Sequence, residues 1–172
     1  MKYKYNSMSS EIMDFISNYN DYFPFVQNSH IIKSYSIKDD PLFYDLLYKS
    51  YQLLNDNGFI CSPKFNSNYL IEFHTINLED KKVKNQLATH QDDYGGVPFR
   101  VNTIIYYIEK PEEVIGGNLI IYESEYSKKN CIELAIKKNM YLMIKGNVWH
   151  EITPCYGKGS RKCIVVQILR DD

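Results

Sequence analysis

Residues 101–123 read VNTIIYYIEKPEEVIGGNLIIYE, and this stretch decides the fold class. A run of β-branched and aromatic residues over 101–108 gives way to Pro111 and then to Gly116-Gly117, after which a second such run begins. Val, Ile, Thr and Tyr suit the pleated, half-buried surface of a sheet, whereas Pro and Gly-Gly punctuate the chain. The same alternation of short runs and turn residues continues on both sides. Strands are predicted over 69–76, 86–91, 101–108, 118–123, 131–136, 141–145, 149–154 and 161–169. Turn signals fall between several of them, at Gly95-Gly96-Val97-Pro98, Gly146-Asn147 and Gly157-Lys158-Gly159. Eight short strands so connected suit a double-sheet jelly roll or a barrel.

Upstream the pattern is helical. Ser9 or Ser10 can cap a helix over 11–20, with Ile12, Phe15 and Ile16 on one face. Asp40-Pro41 forms an N-cap followed by a first-turn proline. From there Leu42, Phe43, Leu46, Leu47, Tyr51 and Leu54 recur at helical spacing until Asn57-Gly58 ends the run. A helix with one apolar stripe must lie on something apolar, so both helices are expected to cover the outside of one sheet.

At 172 residues the chain is the size of one domain. The expected division is a helical part over about 1–58 and a jelly-roll core over about 68–170. A formal net charge of −1 gives no general attraction to phosphate backbones or anionic membranes. The start, MKYKYNSMSSE, lacks the apolar segment of a signal peptide, and the apolar runs fall short of a membrane span. A cytoplasmic protein is expected, with Cys61, Cys131, Cys155 and Cys163 as reduced thiols, because they form no CxxC pair and no zinc-ligand spacing.

His90-Gln91-Asp92 stands out chemically. On extended backbone residues i and i+2 point to the same side, so an imidazole and a carboxylate can approach one ion together. His150, at the start of the seventh predicted strand, is the candidate third ligand. Two histidines and one carboxylate suit Fe(II), because adjacent positions stay open for a chelating cosubstrate and oxygen. HxD alone recurs by chance; its surroundings give it weight. Arg161 follows His150 by eleven residues, and a hairpin through 156–160 is expected to place both on one wall. Along the last strand Arg161, Cys163, Val165 and Gln167 share one face. A guanidinium there can clamp the far carboxylate of a dianionic keto acid. His30 and His74 are read as structural, although His74 shares a strand face with Glu72 in an acid–imidazole couple of reversed order.

These residues resemble a known family. HQDDYGGVPFRVNTIIYYIEKPEEVIGGNLIIYE (90–123) and VWHEITPCYGKGSRKCIVVQIL (148–169) are similar to the 2-oxoglutarate and Fe(II)-dependent oxygenases, and most of all to their prolyl-4-hydroxylase branch. The resemblance rests on HxD, the IIYYI strand, the GGNL step, the WHEITP segment and the GxGSRKC strand, in that order. It implies a double-stranded β-helix (jelly roll), iron on His90, Asp92 and His150, and 2-oxoglutarate on Arg161. It further implies that the Tyr107 hydroxyl helps hold that carboxylate, core packing being the alternative role, and that Arg100 lies near a substrate-contact position. Val165 departs from the relatives that place a hydroxyl residue near the cosubstrate, and the family's usual tyrosine in YLIEFHTI has no clear counterpart.

The implied activity is hydroxylation of a protein or peptide side chain, prolyl first, using Fe(II), 2-oxoglutarate and O2 with ascorbate as a possible reductant. The alternatives are a small-molecule hydroxylase of the same fold and a non-catalytic metal- or ligand-binding jelly roll. Nucleic-acid demethylases of similar fold carry a second arginine six residues after the first; Gln167 stands there, so nucleic acid is not expected as a partner, nor is a membrane. Loops over 77–85 and 93–100 are the expected substrate-facing segments.

Overall fold

The computed structural model describes residues 2–24, 30–35, 42–59, 69–79, 89–92, 100–124 and 130–170. Among these described residues, ten strands form two antiparallel sheets, with two α-helices outside. The strands are β1 (Tyr3–Ser7), β2 (His30–Tyr35), β3 (Tyr69–Glu79), β4 (Arg100–Glu109), β5 (Val114–Gly116), β6 (Leu119–Tyr122), β7 (Cys131–Leu134), β8 (Met140–Lys145), β9 (His150–Ile152) and β10 (Cys155–Arg170). The helices are α1 (Ser10–Ser17) and α2 (Leu42–Asp56). The larger sheet runs β1-β8-β4-β10-β3-β2, with β5 beside the start of β10, and the smaller runs β7-β6-β9.

The central strands β4, β8 and β10 of the larger sheet are buried on both faces, which is why they read as near-continuous apolar runs. Toward the helices Ile71, Phe73, Ile104, Tyr106, Ile164 and Val166 pack on Ile16, Tyr19, Phe43, Leu46, Leu47 and Leu54. Toward the smaller sheet Ile105, Tyr107, Cys163 and Val165 meet Leu119, Ile121 and Leu134. Alternation along β4 and β10 thus sends one set of side chains under the helices and the other between the sheets. The helices do cover one sheet, as their single apolar stripes require. Ser9 caps α1, its hydroxyl accepting from the Ile12 amide at 3.3 Å, and the Tyr19 hydroxyl ties the end of that region to the Leu42 carbonyl at 2.8 Å. Asp40 and Pro41 lie outside the described residues. Among the described residues no helix is long and apolar enough to cross a membrane.

Under the helices, Ser50 Oγ and Tyr106 Oη share a buried hydrogen bond of 3.0 Å. Tyr106→Phe removes one partner and leaves the serine hydroxyl buried without its bond. The expected cost is about 1–2 kcal/mol, read as a lower urea midpoint at unchanged slope.

Three expectations are corrected. The first third is not purely helical. β1 adds to the edge of the larger sheet beside β8, Tyr3 opposite Ile144, and β2 pairs with β3; each is short enough to hide between helical signals. α1 stops at Ser17 and a 3-10 turn at Asn20–Tyr22 follows. Most consequentially, residues 156–160 form no hairpin. β10 runs unbroken through them, pairing first with β5 and then with β3 and β4. Gly157 explains this: its φ is +112°, and a Cβ there would sit 1.9 Å from the Glu113 carbonyl oxygen. Glycine permits this otherwise forbidden backbone, so the strand passes close to its neighbour instead of reversing.

Candidate active site

The first half of the expected strand over 86–91 lies outside the described residues, but its end is held firmly. His90 and His150 form an antiparallel bridge, each amide donating to the other's carbonyl at 3.0 and 2.9 Å. This main-chain clasp brings the two distant segments together. Residue alternation then does the sorting. Gln91 turns outward and donates to the Asn147 carbonyl at 2.6 Å, while His90 and Asp92 turn inward, Nε2 to Oδ1 3.6 Å. His150 Nε2 lies 3.8 Å from the same Asp92 oxygen, and the two imidazole centroids are 4.3 Å apart. One ligand atom from each residue lies within 4.8 Å of the others.

The supporting contacts prepare these groups for a cation. His150 Nδ1 lies 2.9 Å from the Val148 carbonyl. A carbonyl only accepts, so Nδ1 carries the proton and Nε2 presents its lone pair inward. Burial keeps the imidazole below its usual pKa, against the pull of Asp92, and neutral imidazole is the ligating form. Asp92 Oδ2 accepts the Thr103 hydroxyl, which leaves Oδ1 toward both histidines. Glu151, beside His150, points outward to Thr89 and to the Tyr122 hydroxyl. Two imidazoles and one carboxylate form a donor set that suits Fe(II).

Arg161 enters the same cavity from the other sheet. Its side chain is about 1% exposed, yet Nε and Nη2 have no hydrogen-bond partner among the described residues. Nη1 reaches Cys163 Sγ at 3.9 Å, and the guanidinium lies 5.2 Å from the centre of the Tyr107 ring. The Tyr107 hydroxyl is likewise buried without a partner among the described residues, and burial pushes its pKa well up, so it remains a donor. Unsatisfied buried donors are expensive, a charged one most of all. Gly117, with φ +65°, makes the space: a Cβ there would stand 2.6 Å from Cys155 Sγ and 2.9 Å from Arg161 Cδ. The sequence-predicted residues therefore converge, but across facing sheets and not along one wall.

About 450 Å³ of non-atom space, part of it open solvent, lies between the two sheets here. Ile105, Leu119, Ile152 and Val165 supply apolar wall, and Gln167 shares the inward face of β10. Sequence reading missed Glu72 and His74 as part of this lining. Their couple joins Glu72 Oε2 to His74 Nε2 at 3.1 Å, with Ser34 donating to Oε1 at 3.3 Å. Burial acts to raise the Glu72 carboxyl, but His74 and Ser34 hold it below the usual range. The signal was present in the shared strand face of Glu72 and His74. Thr103 and Gly117 were missed as supports for Asp92 and Arg161.

Arg100 opens β4, its backbone paired with Arg170; its side chain lies outside the described residues, as do most of the two expected substrate-facing loops. Cys155 and Cys163 are buried free thiols and Cys131 an exposed one, while Cys61 falls outside the described residues.

No family model matches the sequence, and no curated protein matches it. Solved structures do resemble it. A Pseudomonas putida prolyl-4-hydroxylase superposes with a TM-score of 0.65 at 12% identity, covering 99% of this chain and 93% of the other. A Trichoplax adhaerens prolyl hydroxylase, solved with a hypoxia-inducible-factor oxygen degradation domain peptide fragment, gives 0.62 at 14% identity, covering 98% and 83%. An oxidoreductase of the 2OG-Fe(II) oxygenase family from Burkholderia pseudomallei gives 0.67 at 8% identity, covering 98% and 84%. At these identities the likeness is one of fold: this mainly β chain shares its architecture with prolyl hydroxylases and 2-oxoglutarate–Fe(II) oxygenases.

Proposed function

We propose that the chain is a single-domain, double-stranded β-helix dioxygenase dependent on Fe(II) and 2-oxoglutarate. Its proposed acceptor is a protein or peptide side chain, with prolyl peptides the first to try because a prolyl hydroxylase solved with a peptide shares the fold. The observation that carries the reading is a buried guanidinium without a protein anion among the described residues, in the cavity where two histidines and an aspartate meet. A non-catalytic metal-binding module has no use for that cation.

In this reading His90, Asp92 and His150 hold the iron. Bound Fe(II) supplies the oxidation, in which 2-oxoglutarate, O2 and a substrate C–H become succinate, CO2 and a C–OH. Arg161 fixes the remote carboxylate of the keto acid through its two idle nitrogens, Nε and Nη2, and the Tyr107 hydroxyl donates to the same carboxylate. Val148 and Thr103 keep His150 and Asp92 in their ligating states. The apolar side chains of Ile105, Leu119, Ile152 and Val165 limit water around the keto acid, which strengthens its ionic contact with Arg161.

The test is mass spectrometry of candidate peptides, proline-containing ones included, after incubation with Fe(II), 2-oxoglutarate, ascorbate and O2. A product gaining one oxygen atom with matching succinate supports the proposal; absence of succinate with every acceptor contradicts it. Tyr107→Phe is expected to weaken 2-oxoglutarate binding by about 1.5 kcal/mol, roughly tenfold, in calorimetric titration of Mn(II)-loaded protein. Its ligand-free stability should not fall, because the hydroxyl removed has no partner in the protein among the described residues.

A further inference from the structure

We propose that Glu72, oriented by His74, makes the cavity selective for an acceptor carrying an alkylammonium or guanidinium group. This rests on the oxygenase reading and names the substrate class for the same site.

The argument begins with register. Along β10 and β3, Arg161 pairs with Ile76, Cys163 with His74 and Val165 with Glu72. Four residues of strand separate the level of Arg161 from that of Glu72, roughly 13 Å at about 3.3 Å per residue. The two opposite charges therefore occupy different stations of the cavity and do not pair. Arg161 marks the closed end, about 1% exposed. The Glu72 side chain is 20% exposed and that of His74 4%, which puts the carboxylate on the more open side.

Two carboxylates among the described residues line the cavity, and they differ in commitment. Asp92 gives one oxygen to Thr103 and turns the other to both imidazoles. Glu72 accepts one bond on each oxygen, from Ser34 and His74, and a carboxylate oxygen can accept a second. It is thus anchored in place with acceptor capacity to spare. Gln167 adds a further polar group to the wall. In a partly desolvated site, a fixed carboxylate favours a cationic donor strongly and penalises a group that leaves it unmatched. A peptide-linked pyrrolidine ring has neither charge nor donor to offer. A basic side chain has both.

The test uses the full chain loaded with Mn(II) and 2-oxoglutarate, whose binding is recorded first, followed by calorimetric titration of Gly-Arg-Gly, Gly-citrulline-Gly, Gly-Pro-Gly and free L-arginine. Citrulline keeps the shape of arginine and removes its charge. The expected result is that the arginine peptide binds at least about tenfold more tightly than the citrulline peptide, with the difference abolished by Glu72→Gln. Free arginine binding as tightly as the peptide identifies a small-molecule acceptor, and weaker binding a peptide; either supports the charge requirement. Equal affinities for arginine and citrulline peptides in the wild type, a preference that survives Glu72→Gln, or tighter binding of the proline peptide overturns it. Failure of Mn(II) or 2-oxoglutarate to bind at the first step is a separate result, and it overturns the oxygenase reading together with this one.

Discussion

His150→Ala is expected to abolish Fe(II) binding and, with it, succinate formation. Losing the supporting partner of a metal ligand costs roughly 10–100-fold in affinity or activity, and losing one of three ligands costs more. The variant should still fold, because the clasp between residues 90 and 150 is made by main-chain amides and carbonyls. Anaerobic Fe(II) titration and an unchanged circular dichroism spectrum together separate loss of the site from loss of the fold. Retained Fe(II) affinity in a folded variant would show that the metal lies elsewhere.

Arg161→Met is expected to move function and stability in opposite directions. With substrate-level keto acid, removal of a buried, charged hydrogen-bonding partner costs about 2–4 kcal/mol, roughly 30- to 700-fold in 2-oxoglutarate affinity. Without ligand, the arginine is a liability: a buried guanidinium with Nε and Nη2 unsatisfied among the described residues. Replacing such a charge by an apolar side chain of similar length is commonly neutral or stabilising. The melting temperature of the ligand-free variant should therefore equal or exceed that of the wild type, while in the metal-loaded variant 2-oxoglutarate no longer raises it. A purely structural arginine would show the reverse, a lower melting temperature with keto-acid binding intact.

The sequence made these residues legible because alternation is a local property. IIYYI and CIVVQI told which side chains share a face, and the structure sends Tyr107, Arg161, Cys163 and Val165 to one cavity. His90 and Asp92 were readable for the same reason, i and i+2 on extended backbone. Sheet membership was not, because pairing depends on distant partners. The GKG segment resembled a turn, and only the close approach of β5 to Gly157 shows that its glycine serves passage and not reversal. His150 and Arg161 consequently face each other from two sheets. β1 escaped notice because five residues at a sheet edge carry little periodic signal, and its placement is decided by β8. Glu72 and His74 escaped for a chemical reason. An acid–imidazole couple looks alike in a core and in a cavity until Cys163 and Val165, their register partners on β10, are known to face inward.

The most direct test of the whole account is a two-step anaerobic titration, Fe(II) first and 2-oxoglutarate second, followed by calorimetry. The convergence of His90, Asp92, His150 and Arg161 predicts one Fe(II) per chain and then one 2-oxoglutarate that binds only to the iron-loaded protein. Keto acid that binds equally well without iron, or not at all with it, would contradict a shared centre.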